Sequence, residues 1–240
     1  MNFQDTQLIG VLARAESTVS SLSSLLGGLV EKFAARGYSL YLVGGSVRDA
    51  LLGRLGNDLD FTTPARPEVV KEILDEWAET VWDTGIDFGT VSAAYKGQQI
   101  EITTFRSDSY DGQSRNPEVV YGDTLEGDLV RRDFKANAMA IELLADASFK
   151  FHDPLHGLQD IADRVLDTPD KPEISFHDDP LRMLRAARFA SQLEFRVADR
   201  VVEAMRDMAG EIQRITVERV QVELDKLICG TAPWLSLIHI

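Results

Sequence analysis

Leu40 to Thr63 reads LYLVGGSVRDALLGRLGNDLDFTT, and the order of its parts governs how the rest of the chain is read. Leu40, Tyr41, Leu42 and Val43 form a short apolar run suited to a buried strand. Gly44 and Gly45 carry no Cβ, so the backbone can turn sharply there and let a ligand approach. A helix beginning near Ser46 would aim its unpaired N–H groups and positive dipole end at that turn, where an anion is the natural guest. Asp58 and Asp60 lie one residue apart on the following strand and share a face, because side chains alternate along a strand. Two carboxylates about 7 Å apart on one face can hold hard divalent cations beside a bound phosphate. A lone glycine pair before a helix, or a lone DxD, is commonly no more than a turn or surface charge. Strand, glycine turn, helix and DxD strand in this order point to phosphoryl or nucleotidyl transfer.

The surrounding composition is that of a globular protein. The chain has 240 residues, 44% hydrophobic and 27% charged, enough for one large domain or two small ones. No apolar run approaches the ~18 residues of a membrane span. The start, MNFQDTQLIG, lacks the basic and apolar regions of a secretory signal. A single cysteine, Cys229, excludes an internal disulfide and fits a reducing cytoplasm. The net charge of −14 argues against a protein that coats itself with nucleic acid. Residues 171–240 carry 10 Lys+Arg against 11 Asp+Glu, which leaves 15 against 28 for residues 1–170. That asymmetry suits an active site fed by local basic contacts.

Residues 1–21 show weak periodicity and are expected to form a loosely attached lead-in. Leu22 to Ala35 reads as an amphipathic helix, and Pro67 to Thr80 as another with Pro67 in its first turn. Thr90 to Tyr95 and Gln98 to Phe105 alternate and meet at Lys96-Gly97, a hairpin signal. Arg106 to Gly127 is polar and reads as a mobile loop. Helices are expected at 178–193, 199–209 and 216–228. A boundary near residue 170 would divide a mixed head, 22–170, from a helical neck, 171–230, followed by an apolar tail, 231–240.

Five further blocks follow the opening unit: FRSDSYDGQSRNP from Phe105, DLVRRDFKANAMA from Asp128, DPLHGLQDI from Asp153, DDPLRMLRAARFA from Asp178 and ERVQVELDKLI from Glu218. Together the six resemble the motifs of the polymerase-β-like nucleotidyltransferase superfamily. Within it they are similar to class II CCA-adding enzymes (tRNA nucleotidyltransferases) and to bacterial poly(A) polymerases, over roughly residues 38–230. The resemblance implies an α+β fold, a polymerase-β-like head with a mixed sheet and flanking helices, followed by an all-helical neck. Such enzymes continue into further helical domains, so it also implies a head-and-neck portion only. The implied activity is template-independent addition of CMP and AMP, from CTP and ATP, to the 3′ end of tRNA in the cytoplasm. Neither DNA nor a membrane is an expected partner. Bacterial poly(A) polymerase, CC-only or A-only addition, and a non-catalytic nucleotide- or RNA-binding fragment remain as alternatives.

The same resemblance assigns roles. Asp58 and Asp60 would hold two Mg²⁺ ions, with Glu101 as a third carboxylate on an adjacent strand. Gly45, Ser46 and Arg48 look like the triphosphate site, although Arg48 has an alternative partner in Asp49. Arg132 matches a nucleotide contact, and Asp133 and Asn137 would orient the ribose. Lys135-Ala136 departs from the family's usual threonine and β-branched residue, which leaves those ribose contacts less defined. Asp179, Arg182, Arg185 and Arg188 fall at threefold spacing and are expected along one side of a helix as nucleotide-binding residues, since repeated arginine suits phosphate and base recognition. Asp179 and Arg182 would read the base edge, with salt-bridged helix packing as the alternative. Tyr110, Asp111 and Arg115 match a flexible loop associated with adding the terminal A. Asp153, Pro154, Gly157 and Asp160 read as a turn into a helix, and Glu218, Arg219 and Glu223 as ion pairs bracing the neck.

Overall fold

Alternation of apolar and polar side chains along the strands organises the first part of the computed structural model, which describes residues 3–107 and 120–234. The first of two units, Met1–Arg132 with Asn137–Pro154, runs α1 (Phe3–Ala35), β1 (Leu40–Val43), α2 (Gly44–Leu51), β2 (Asp58–Thr63), α3 (Pro67–Asp75), β3 (Thr80–Trp82), β4 (Thr90–Tyr95), β5 (Gln98–Thr104), β6 (Arg106–Ser107), β7 (Val120–Tyr121), α4 (Leu125–Val130), β8 (Ala140–Leu143) and β9 (Phe149–His152). Seven strands form one sheet in the order β3-β4-β5-β2-β1-β8-β9. Within this sheet, among the described residues, only β2 and β5 pair in parallel. One sheet face presents Leu40, Leu42, Leu59, Phe61, Ile100 and Ile102, all almost inaccessible, and the same core holds Leu26, Leu29, Phe33, Ile73 and Leu74 from α1 and α3. The other face carries Asp58, Asp60, Thr62 and Glu101, together with a small apolar cluster of Val43, Phe105, Leu125, Leu129 and Ala140. The expected mixed sheet with flanking helices is therefore present.

Several local expectations are corrected. The lead-in is not loose: α1 is continuous from Phe3, and Val11, Ala15 and Val19 extend the buried stripe of Leu22, Leu26, Leu29 and Phe33. Small residues on that stripe dilute the periodicity without breaking it. The second helix stops at Asp75, and Trp77 beyond it packs on Tyr95 with ring centroids 3.9 Å apart. Lys96 and Gly97 both take positive φ, 47° and 77°, as the tight hairpin between β4 and β5 demands. The polar segment after Phe105 is ordered at its described ends, where β6 pairs with β7 and α4 begins at Leu125.

The second unit, Asp133–Ala136 with Leu155–Ile240, runs α5 (Gly157–Asp163), β10 (Val165–Leu166), α6 (Pro172–Asp178), α7 (Leu181–Leu193), β11 (Arg196–Val197), α8 (Asp199–Asp207), a 3-10 segment (Ala209–Arg214) and α9 (Val217–Ile228). The boundary falls near residue 155 rather than 170, since β10 pairs in parallel with β11 and so belongs with the helices that follow. The neck is consequently not wholly helical. The expected helix from 178 is also broken: Asp179 is extended, with φ −141° and ψ 99°. Pro180 disfavours helical geometry in the residue before it. α7 lies against α9, and Ser191 Oγ donates to the Leu227 carbonyl at 2.9 Å.

Candidate active site

α2 starts at Gly44 itself, whose φ of +66° a residue with a Cβ would resist. Two residues on, Ser46 is buried, and its Oγ accepts the Asp60 N–H at 2.9 Å and donates to the Asp58 carbonyl at 3.4 Å. Ser46, expected at the triphosphate site, thereby stitches α2 to the DxD strand. Asp58 and Asp60 are both exposed on that strand, and Asp60 stands opposite Glu101 in the parallel register of β2 and β5. Protein packed around the Asp60 carboxyl strips part of its hydration and raises its pKa above the usual aspartate value. Glu101 and Asp58 add to the rise, while Arg132 and Arg48 oppose it.

Arg132 completes this cluster. A Cβ at Gly44 would lie 2.9 Å from Arg132 Nη1 and 3.9 Å from Asp60 Oδ2, so the guanidinium and the carboxylate both border the glycine. Nη2 of Arg132 donates to Asp128 at 2.9 Å, and its Nε is buried without a partner among the described residues. Arg48 is placed differently from expectation. It is buried, forks onto Asp49 at 3.0 and 2.9 Å, and donates from Nη1 to Asn137 Oδ1 at 2.6 Å. These contacts form the Asp49 pair that the sequence offered as the alternative, in a brace in which Asn137 takes part. Gly45 leaves room for that brace, since a Cβ there would approach Arg48 Nη2 at 3.3 Å.

In the second unit the arginines do not form one open row. Asp179 sits in the break between α6 and α7. Its Oδ1 caps the Leu181 N–H at 3.1 Å, and its Oδ2 accepts from Arg219 at 3.0 Å. Arg182 donates to Ser175 Oγ at 2.9 Å. Arg185 donates to Asp133 Oδ2 from Nε at 2.8 Å and from Nη2 at 2.5 Å, joining two residues that were expected to act separately. Burial works against the charge of Arg185, but Asp133 and Glu223 outweigh it and raise its pKa. Arg188 is buried, pairs with Glu223 at 2.5 Å, and stacks 4.0 Å from the Phe189 ring centroid. The salt-bridged alternative thus describes Arg188, and Glu223 and Arg219 form the expected neck ion pairs.

Sequence reasoning missed Asp128, a buried carboxylate whose one signal is its place four residues before Arg132. Tyr110, Asp111 and Arg115 lie outside the described residues. Among the described residues no group of three or more His, Cys, Asp or Glu is gathered closely enough to hold a metal ion, so Asp58 and Asp60 stand as a pair. No helix among them is long and apolar enough to cross a membrane.

Comparison with known proteins agrees with this geometry. The model of the poly A polymerase head domain matches residues 40–167, and one described as a probable RNA and SrmB-binding site of polymerase A matches residues 194–240. A CCA-adding enzyme of Listeria monocytogenes is 40% identical over 205 residues, covering 85% of this chain and 50% of the relative. One from Lactobacillus helveticus is 42% identical over 195 residues, covering 81% and 47%. The crystal structure of the Bacillus stearothermophilus CCA-adding enzyme in complex with CTP superposes with a TM-score of 0.74 at 36% identity, over 87% of this chain and 49% of that one. A tRNA nucleotidyltransferase complexed with a primer tRNA and an incoming ATP analog gives 0.73 at 28% identity, over 87% and 58%. This chain spans about half the length of the curated relatives it matches. With its strands, glycine turn and paired aspartates inside a match that covers more than half of its length, the chain belongs to the poly A polymerase head domain family.

Proposed function

We propose that this chain carries the nucleotidyl-transfer part of a CCA-adding enzyme of the cytoplasm, moving CMP and AMP from CTP and ATP to the 3′ end of tRNA without a nucleic-acid template. The carrying observation is that Asp58 and Asp60 share one strand face, with Asp60 Oδ2 and Arg132 Nη1 both bordering Gly44. The names of the relatives support the reading. The residues also fit Mg²⁺, because carboxylate oxygens are hard donors and Asp58 and Asp60 offer two of them on one strand face. Asp58 and Asp60 would hold the two ions, consistent with the habit of Mg²⁺ of taking one or two carboxylates and completing its shell with water and substrate phosphates. Held by Asp58 and Asp60, Mg²⁺ would supply charge stabilisation for the transferring phosphoryl group and a lowered pKa for the 3′-hydroxyl.

The chain's own groups supply the rest. Arg132 offers N–H donors to triphosphate oxygens, and the start of α2 adds backbone donors beside it. Ser46 holds the Asp60 backbone, and Glu101 keeps negative charge next to Asp60. Asp179 and Arg182 read the base edge, with acceptors and donors respectively. Asp133, held by Arg185, serves the ribose. Asp58→Ala or Asp60→Ala is expected to lower transfer of every nucleotide by on the order of a thousandfold or more, from lost stabilisation of the transition state. Measured kcat/KM on a tRNA lacking its 3′ end decides; near-normal turnover of Asp58→Ala in saturating Mg²⁺ would overturn the proposal. A second reading, poly(A) addition, is favoured by the descriptions of both matching family models. Sequencing the products made from CTP and ATP together separates CCA ends from CC-only, A-only or long A tails.

A further inference from the structure

Arg132 lies just past the end of α4, yet its guanidinium is brought over Gly44 on another element. Asp128, one turn earlier, is 1% exposed. Its Oδ2 accepts from Arg132 Nη2 at 2.9 Å. Its Oδ1 accepts the Arg106 backbone N–H at 3.3 Å and the Arg131 Nε–H at 3.5 Å. The carboxylate is thus held from two other directions while it holds one arm of Arg132. A buried carboxylate has few orientations and strong partners, so it transmits its own position to the cation it binds. Arg132 Nε is buried with no partner among the described residues, and Nη1 points at the glycine beside Asp60. A buried donor left unsatisfied is unfavourable unless a ligand accepts from it.

We propose that Asp128 is a positioning residue for nucleotide binding: it clamps Nη2 of Arg132 so that the remaining donors of the guanidinium face the triphosphate beside Asp60. This rests on the nucleotidyl-transfer reading above. Asp128 does not touch the substrate; its effect passes through Arg132. The role predicts coupling between the two residues rather than two independent losses.

The test is a double-mutant cycle. Asp128→Asn keeps the shape, removes the charge and turns one acceptor into a donor. It is expected to raise KM for CTP and ATP about tenfold, the scale of one charge-assisted contact, with kcat changed far less. In an Arg132→Ala background it should raise KM no further. A fall in Tm with KM unchanged, or additive effects on KM, would show that Asp128 only braces α4. Asp128→Glu keeps the charge but shifts it by one methylene, and it covers the case in which Asp128→Asn does not fold. The same rise in KM is expected, and a wild-type KM in the folded variant overturns the role. Calorimetric binding of pyrophosphate to the nucleotide-free protein gives a readout without transfer. Weaker pyrophosphate binding in the variants alongside an inactive wild type would count against the transferase reading alone. Unchanged affinity in the variants, or a wild type that binds no pyrophosphate, overturns the positioning role.

Discussion

Gly44 adopts φ +66°, and a side chain there would press against Arg132 Nη1. Gly44→Ala is expected to cost about 1–2 kcal/mol of stability in urea unfolding from the left-handed backbone alone. It should also raise KM for nucleotides, by pushing Arg132 away. Asp60 carries a second consequence. Its folded pKa lies above its unfolded one, so its contribution to stability is fully present below the unfolded pKa and is lost as pH rises through the folded pKa. In metal-free protein at neutral pH, Asp60→Asn is therefore expected to raise Tm, and the gain should fade below about pH 4, the ordinary aspartate range. Added Mg²⁺ should raise the wild-type Tm but not that of the variant; a metal-free Asp60→Asn no more stable than wild type at neutral pH would contradict the electrostatics. At this scale the sequence was most legible. The alternation in DLD placed both carboxylates on one face, whereas the position of Glu101 opposite Asp60 came from the parallel register of β2 and β5. What it could not show was which way each arginine turned, because Arg48 had Asp49 beside it and Asn137 far away in sequence.

At the scale of elements, the separation of Arg182 from Arg188 matters most. Both lie on α7, but Arg188 is buried against Glu223 of α9, whereas Arg182 meets Ser175 of α6. Removing one partner of a buried pair strands the other. Glu223→Gln is accordingly expected to destabilise the protein by about 3–5 kcal/mol in thermal or urea unfolding while leaving the CTP:UTP ratio of kcat/KM unchanged. Arg182→Ala should do the reverse, lowering that ratio roughly ten- to a hundredfold with little loss of stability, since a good bidentate contact discriminates by that much. Equal losses for all four nucleotides in Arg182→Ala would reduce α7 to a brace. Threefold arginine spacing announced a charged helix face, yet Pro180 broke the helix and left Asp179 in the gap, capping α7 and pairing with Arg219.

Over the whole molecule, contacts between distant parts of the sequence close the second unit. Asp167 accepts from Lys135 Nζ and from Arg200 Nε, both at 2.7 Å, and the Lys135 N–H donates to the Asp167 carbonyl. The unusual Lys135 therefore ties the segment carrying Asp133 into this unit. Burial works to raise the pKa of Asp167, but Arg200 and Lys135 outweigh it and hold the value low. A depressed folded pKa means that the stability is present above the unfolded pKa and lost as pH falls through the folded one. Asp167→Asn is expected to lower Tm at neutral pH and to flatten its decline in acid. An acid limb unchanged from wild type would show that this network contributes nothing.

The sequence by itself determined the family, the mixed head and the aspartate pair on one strand face, because these rest on local rules: strand alternation, glycine conformation and the order of motifs. Tertiary structure decided the rest. It extended α1 to Phe3 by giving Val11, Ala15 and Val19 a core to bury against. It moved the boundary to residue 155 by pairing β10 with β11. It also sorted the arginines into braces and donors, since a guanidinium takes whichever carboxylate the fold brings within reach, and that carboxylate is often far along the chain.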